Sequence, residues 1–215
     1  TPRYCRISRL IRDIPANEIT ASNMVTNLRE ELVKEMTKRG QKCVCLRCRE
    51  ISRQIKNIPQ DTEIKLFTET YNTIGGTEYF ITFEDSERKA VFAFLRLRVP
   101  TKKESEIPSP YKGEKTRVQR VQRGLSKLHD LLPEIKNCAF IRELHTYGQL
   151  VAIGKTEKGA SQHKGMGKKL LIEAEKIAKQ HGFHKLAVIS GVGVRDYYRK
   201  NGYGKIGTYM IKSLS

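Results

Sequence analysis

Two glycines spaced by one residue mark the segment with the clearest capacity for chemistry. Gly165 and Gly167 lie in the stretch Gln162-His163-Lys164-Gly165-Met166-Gly167-Lys168, between an apolar run and an amphipathic one. Glycines let main-chain N–H groups approach an anion closely, and a helix N-terminus adds its partial positive charge. The spacing lacks the terminal Gly-Lys-Ser/Thr of a Walker loop, and Leu170 occupies the third glycine position of the dinucleotide motif. The segment therefore predicts a pyrophosphate-binding turn; the alternative is an ordinary helix start containing two glycines.

An adjacent pair of tyrosines, Tyr197 and Tyr198, offers a source of protons. A phenol near its usual pKa can protonate a departing anion that lies within hydrogen-bond reach. Because neighbours on a helix point in different directions, only one of the two rings can face a cleft. The alternative is that both are packing aromatics.

Three of the five cysteines fall within six residues, as Cys43-x-Cys45-x-x-Cys48. Three thiolates so close together can converge on one ion, and soft sulfur ligands in tetrahedral geometry favour zinc. Cys5 is the best fourth ligand in the chain, whereas Cys138 opens an apolar run and is expected to pack as a small hydrophobe. The pattern predicts a structural zinc site, with three reduced thiols and no metal as the alternative. An odd, clustered set of cysteines also fits a reducing compartment better than a disulfide framework.

The chain carries 41 Lys and Arg against 23 Asp and Glu in 215 residues, a net charge of +18, which favours an anionic partner. Its apolar runs are too short for a membrane helix, so neither membrane insertion nor secretion is expected. Nine basic side chains could bind along a nucleic-acid backbone and release its counterions. They are Arg3, Arg6, Arg9, Arg12, Lys102, Lys103, Arg117, Arg120 and Arg123. A solvated basic face is the alternative interpretation.

The elements that must position these groups follow from periodicity and turn residues. Residues 3–14 alternate basic and apolar, as a half-exposed strand does, and Asn27 and Gly40 bound an amphipathic helix. Short turns in 63–99 predict three strands in an antiparallel meander, and 101–136 reads as a basic loop insertion. The remaining expected elements are a strand over 138–153, a helix over 167–181, a parallel strand over 185–190 and a short helix carrying the tyrosines. The order predicts an α/β fold with a mixed central sheet flanked by helices.

Eight blocks of the sequence closely resemble the catalytic subunit of Elongator, a family of tRNA uridine acetyltransferases. The blocks are RDIP (12–15), NLRE (27–30), RCRE (47–50), GGTEYF (75–80), FLRLR (94–98), IRELHTYG (141–148), QHKGMGKKLL (162–171) and AVISGVGVRDYYRKNGY (187–203). The resemblance implies a GCN5-related N-acetyltransferase (GNAT) fold over 60–215, after the end of a radical-SAM module and a cysteine linker over 1–59. The radical-SAM core itself, with its 4Fe-4S cluster and S-adenosylmethionine, is not in these residues and is expected upstream or missing.

The resemblance also implies roles for individual residues. Acetyl-CoA would lie with its pantetheine arm beside the strand residues Glu143, Leu144, His145 and Thr146, and with its pyrophosphate on the glycine turn. The turn residues that would hold it are Gln162, His163, Lys164, Gly165, Met166, Gly167, Lys168 and Lys169. Tyr197 and Tyr198 would lie near the thioester as proton donors, and His145 or Glu143 would activate water or steer the acetyl group. For a lone strand histidine, a structural role is the alternative.

For the whole chain, the resemblance implies an acetyl-CoA-dependent acyltransferase that modifies C5 of the wobble uridine, with tRNA binding triggering acetyl-CoA breakdown. The expected partners are the anticodon region of tRNA and other Elongator-like subunits or a second copy, in the cytoplasm. Two alternatives stay open: a lysine acetyltransferase acting on protein, such as histone, and a non-catalytic tRNA-binding assembly module.

Overall fold

The computed structural model of the chain describes residues 1–8, 10, 21, 27–59, 61–101, 132–147 and 165–214. Within these ranges the helices are α1 (Leu28–Lys38), α2 (Leu46–Arg49), α3 (Ile51–Gln54), α4 (Met166–Gln180) and α5 (Arg195–Lys200). The strands are β1 (Ile64–Thr73), β2 (Gly76–Asp85), β3 (Val91–Pro100), β4 (Ala139–Thr146), β5 (Lys185–Val188), β6 (Gly204–Ile206) and β7 (Tyr209–Ser213). Two short 3₁₀ helices lie at Pro133–Ile135 and Val192–Val194. No helix of this described part is long and apolar enough to cross a membrane.

The strands form one seven-stranded mixed sheet in the order β1-β2-β3-β4-β5-β7-β6. Neighbours from β1 to β4 are antiparallel. Gly75 and Gly76 and the turn after Asp85 join the first three of these strands as hairpins, whereas β3 and β4 are far apart in the sequence. β4 and β5 are parallel, since α4 carries the chain from one to the other. The predicted meander, the predicted parallel strand and the α/β class are therefore confirmed.

One face of the sheet is covered by α4. Its apolar stripe, formed by Leu170, Leu171, Ala174, Ile177 and Ala178, is buried against the side chains that β3 and β4 present on that face. The predicted helix over 167–181 is thus confirmed, shifted by one residue at each end.

The opposite face of the sheet is covered by residues that precede β1, among them α2. Leu46 is fully buried there with Phe80 and Phe94. An Arg49–Glu84 ion pair of 2.7 Å lies beneath this contact, with side chains only 4% and 0% exposed. Burial opposes the charge of Glu84, but the hydrogen bond from Arg88 and the charge of Arg49 outweigh it and lower the Glu84 pKa. The segment and the sheet therefore share one buried core.

The strand predicted over 3–14 is wrong for the residues described there, 1–8 and 10, which form no strand. The backbone instead turns, because the Cys5 N–H bonds to the Pro2 carbonyl at 3.1 Å. The Cys5 carbonyl then accepts from the Leu46 N–H at 2.9 Å, which fixes the segment to the cysteine region. The predicted basic loop lies outside the described residues over 102–131, and the predicted strand over 138–153 is described up to Tyr147, with β4 ending at Thr146.

Candidate active site

The centre of the sheet is split where β4 and β5 part. β4 pairs with β3 as far as Thr146, but it pairs with β5 only from Ala139 to Ile141. Arg142 is an extra residue in the β3–β4 register, and such a bulge bends the strand that carries it. Among the described residues, the β5-facing main chain of 142–146 therefore has no strand partner. An extended ligand with amide groups can pair along such an edge.

The glycine turn lies at the start of α4. Gly165 occupies the N-cap position with φ of 88°, a left-handed conformation that favours glycine. The first N–H groups of a helix have no partner within it, so they and the helix dipole form an anion-binding site. Lys168 and Lys169 are exposed in the first turn and add positive charge. Gln162, His163 and Lys164 lie outside the described residues.

Tyr197 reaches this turn from α5. A Cβ built on Gly167 would lie 2.6 Å from the Tyr197 hydroxyl oxygen and 3.5 Å from Cγ2 of Thr146. Gly167, Tyr197 and the end of β4 therefore meet at one point beside the split. The Tyr197 hydroxyl is buried and has no hydrogen-bond partner in the described structure. Burial raises its pKa, so the phenol keeps its proton at neutral pH.

Tyr198 has a different environment. Its ring is 5% exposed and packs edge-on against Tyr203, with ring centroids 5.8 Å apart. Burial and the neighbouring Tyr197 raise the Tyr198 pKa to about 12. Of the predicted pair, Tyr197 faces the split and Tyr198 belongs to the core.

Two further buried polar atoms near α5 have no partner in the described part of the chain: Ser190 Oγ and Arg195 Nε. Ser190 lies in the connection from β5 to α5, and Arg195 is the first residue of α5. Unpaired buried polar groups are rare in folded proteins and are usual where a ligand completes the hydrogen bonds. Sequence reasoning missed these two residues, although both lie in the block 187–203 that carries Tyr197.

Glu143 and His145 lie on the other face of the sheet. Residues paired across antiparallel strands share a face, and Glu143 pairs with Arg96 while His145 pairs with Phe94. Glu143 forms an ion pair with Arg96, in which the carboxylate oxygen lies 3.0 Å from Nε of the guanidinium. The His145 ring lies 4.5 Å from the ring of Tyr147 and stacks on Phe94. The structure therefore brings Leu144 and Thr146 to the side of the glycine turn, and it does not bring Glu143 or His145 to Tyr197.

The cysteine cluster lies between the end of α1 and the end of α2. The sulfurs of Cys43, Cys45 and Cys48 all lie within 4.8 Å of one another. Tetrahedral zinc with Zn–S bonds of about 2.3 Å needs sulfurs about 3.8 Å apart, so small movements bring these three into place. Among the described residues Cys5 is not part of the group, and Cys138 is buried in the sheet core as expected.

The thiols of the cluster differ in acidity. Burial opposes ionisation of Cys45, but hydrogen bonds from the backbone N–H groups of Cys48 and Ile7 and from the other thiols lower its pKa to about 7. Burial raises the pKa of Cys48 to about 11, with the charge of Cys45 adding to the effect despite a hydrogen bond from Arg29. Cys45 is thus the first thiolate ready for a metal ion.

The predicted nucleic-acid contacts divide into two groups. Arg3 donates to the Arg88 carbonyl at 2.9 Å, and Arg6 forms a 2.7 Å ion pair with Glu50, so both are used within the chain. The others, Arg9, Arg12, Lys102, Lys103, Arg117, Arg120 and Arg123, lie outside the described residues.

The strand order, the split between two parallel strands and the glycine turn at the crossover helix together define the GNAT fold. No protein-family model matches the chain. The chain is 42% identical to the "tRNA uridine(34) acetyltransferase" of Methanocaldococcus jannaschii, over 99% of its own length and 36% of that protein. It is 37% identical to "Elongator complex protein 3" of Drosophila melanogaster, over 99% of its length and 34% of that protein.

A solved structure of the archaeal Methanocaldococcus infernus Elp3, lacking part of its N-terminus, matches all of this chain and 45% of that one, with 36% identity and a TM-score of 0.72. The resemblance to the catalytic subunit of Elongator is therefore confirmed. The chain spans about a third of the length of the curated relatives it matches.

Proposed function

We propose that the chain binds acetyl-CoA in the split of its sheet and provides the acetyl-transfer step of tRNA wobble-uridine modification at C5. The observation that carries the proposal is the buried, unpartnered hydroxyl of Tyr197 beside Gly167. It supports a site in which an anion-binding turn, an open strand edge and a proton donor converge.

Each part of the site has a task toward this ligand. The N-terminal N–H groups of α4 would bind the pyrophosphate, with Lys168 and Lys169 adding charge. The unpaired edge of β4 over 142–146 would hold the amide groups of the pantetheine arm. Acetyl-CoA supplies an acetyl group activated as a thioester. Tyr197, kept protonated by burial, would hold the proton that the departing sulfur requires.

The tRNA part of the proposal is supported by the charge of +18 and by the relatives named for tRNA uridine. We assign the contacts with the tRNA phosphate backbone to Arg9, Arg12 and the lysines and arginines predicted for 102–123. Arg3 and Arg6 are left out because they are bonded within the chain. Such contacts give affinity without base recognition. Because His145 and Glu143 lie on the opposite face of the sheet from Tyr197, we assign them no step at the thioester.

The remaining proposals concern organisation. Residues 1–59 would be the end of a radical-SAM module with a zinc-bound linker, and 60–215 the acetyltransferase domain. Cys43, Cys45 and Cys48 would hold the zinc as a structural ion. The relatives named as a protein of the Elongator complex support assembly with other subunits. The proposed compartment is the cytoplasm, where clustered cysteines stay reduced. We propose no radical step for these residues.

Acetyl-CoA hydrolysis with and without tRNA tests the proposal, with the wild-type chain, Tyr197→Phe and Tyr198→Phe as a matched pair. We expect stimulation by tRNA in the wild type and a loss of about 10²-fold or more in Tyr197→Phe. The Tyr198→Phe variant should keep most of the rate, because that ring faces the core. Hydrolysis unchanged by tRNA would remove the tRNA gating from the proposal. Acetylation of basic peptides without tRNA would favour a protein lysine acetyltransferase, and tRNA binding without any turnover would favour an assembly module.

A further inference from the structure

Helix α1 has little packing against the residues that the structure describes. None of its eleven residues is buried against the described part of the chain, and Leu32 and Val33 are 43% and 42% exposed. Its ion pairs stay within the helix and its C-cap residue, as in the pair of Arg39, at the C-cap, with Glu35 at 2.9 Å. A solvent-exposed helix of this length has little stability of its own in water. Within the described part of the chain, polar contacts rather than a hydrophobic interface therefore connect this helix to the rest.

Arg29, in the first turn of α1, makes the long-range hydrogen bonds of the helix. Its Nη1 donates to the carbonyl oxygen of Ile7 at 2.7 Å. Its Nη2 donates to the sulfur of Cys48 at 3.4 Å and to that of Cys45 at 3.7 Å. Among the described residues, these three bonds are the side-chain hydrogen bonds that join α1 to distant parts of the chain. One guanidinium thus links the helix, the N-terminal segment and the cysteine cluster.

The charge of the cluster explains why a cation lies here. A divalent ion with three thiolates has a net charge of −1, and an adjacent guanidinium neutralises it. N–H groups that donate to ligand sulfurs also fix the orientation of those sulfurs, and removing such outer partners typically costs 10–100-fold in metal affinity. A planar guanidinium can reach a carbonyl and two sulfurs at once, which a lysine ammonium on a flexible stem does less well.

We infer that Arg29 is the outer-sphere residue of the cysteine metal centre, and that metal binding fixes helix α1 through it. The inference rests on the proposed zinc site. Loaded thiolates are strong acceptors for Arg29, whereas free thiols are weak ones, so loading the metal strengthens the bonds that hold the helix. By reciprocity, a helix fixed through Arg29 tightens the metal site. Metal occupancy at Cys45 and Cys48 therefore controls a helix that the described residues do not hold by packing.

The experiment compares wild type, Arg29→Ala and Arg29→Lys, with Arg39→Ala as the matched control on the same helix. Zn²⁺ affinity is measured by competition with a chromophoric chelator. Hydrogen exchange of the α1 amides is measured with and without the metal. We expect Arg29→Ala to weaken Zn²⁺ binding about 10–100-fold, Arg29→Lys to recover part of the loss, and Arg39→Ala to bind as wild type. In wild type, removing Zn²⁺ should speed exchange in α1; in Arg29→Ala, exchange should be fast in both states.

The outcomes separate the two proposals. Wild type that binds no Zn²⁺ refutes the metal centre and the inference with it. Wild type that binds Zn²⁺ while Arg29→Ala has the same affinity, and the same metal-dependent exchange in α1, refutes the inference alone. The thermal unfolding of the metal-free variants serves as the folding control, and the partial rescue by Arg29→Lys distinguishes a charge effect from a general loss of structure.

Discussion

The contact between Gly167 and Tyr197 makes a prediction that can be worked out in magnitude. Gly167→Ala places a methyl group 2.6 Å from the Tyr197 hydroxyl oxygen, well inside van der Waals contact. Overpacking of this kind costs about 1–3 kcal/mol. Alanine is favoured over glycine in a helix by about 0.5–1 kcal/mol, which offsets part of that cost. We therefore expect a net loss of up to about 2.5 kcal/mol in the free energy of unfolding.

The same substitution should behave differently when the hydroxyl is absent. In a Tyr197→Phe background the nearest ring atom to the new methyl is Cζ at 3.5 Å, an ordinary contact. Alanine should then stabilise the chain by about 0.5–1 kcal/mol, so the two sites are coupled by about 1–3 kcal/mol. Tyr197→Phe alone should be neutral or stabilising, because it removes a buried hydroxyl that has no partner.

Urea denaturation of the four chains of this double-mutant cycle measures the coupling. For a chain of this size, 1 kcal/mol corresponds to about 2–4 °C in Tm. Gly165→Ala is the control, because its φ of 88° imposes a left-handed strain of about 1–2 kcal/mol that is independent of residue 197. Effects at 167 and 197 that add to within about 0.5 kcal/mol would show that the hydroxyl does not face Gly167.

Three further predictions concern the rest of the molecule. Cys45→Ser should lower bound zinc below about half an equivalent, whereas Cys5→Ser should keep it, as elemental analysis will show. Arg49→Met should cost about 3 kcal/mol in urea denaturation at neutral pH, because it leaves buried Glu84 without one of its cations. The lowered pKa of Glu84 adds stability above its unfolded value of about 4.3 and is lost as pH falls through the folded value, so the cost of Arg49→Met should shrink below about pH 4. Replacing three arginines of the predicted basic loop with alanine should reduce the magnitude of the slope of log K, the tRNA binding constant, against log salt concentration by about 2–3. Arg3→Ala should leave that slope unchanged. These three are Arg117, Arg120 and Arg123.

Each of these expectations has a contrary result. Loss of zinc in Cys5→Ser would make that sulfur a ligand. A cost of Arg49→Met that is independent of pH would show that its charge does not act on Glu84. An unchanged salt slope in the triple variant would place the tRNA contacts elsewhere.

Much of the fold could be predicted, because its elements are defined by local patterns. The glycines at 75 and 76 bound two strands, and the apolar stripe of α4 has the helical period over its whole length. The prediction of a strand over 3–14 was wrong because the alternation of basic and apolar residues indicates which side chains are exposed, but not which groups the backbone bonds to. Here the partner is the Leu46 N–H, 41 residues away in the chain from Cys5.

The site was predictable in its composition and less so in its geometry. The bulge at Arg142 and the register with β3 decide which face each β4 residue occupies, and no local pattern contains that register. The choice between Tyr197 and Tyr198 depends on Gly167, which lies thirty residues earlier. Arg29 lies in the block 27–30, and the sequence contains no pattern that connects it to the thiolates whose charge it balances.

The burial of Leu46 against Phe80 and Phe94 has a consequence for how the molecule can be divided. The sequence predicts a domain boundary at residue 60, yet Leu46 on one side of it and Phe80 and Phe94 on the other are buried together. A chain beginning at β1 would expose the rings of Phe80 and Phe94 and leave Glu84 without Arg49, one of its two arginine partners. The segment that carries Leu46 and Arg49 therefore completes the core on one face of the acetyltransferase sheet. We expect this segment and the sheet to unfold in one transition, and a substitution on one side of their contact to require a compensating substitution on the other.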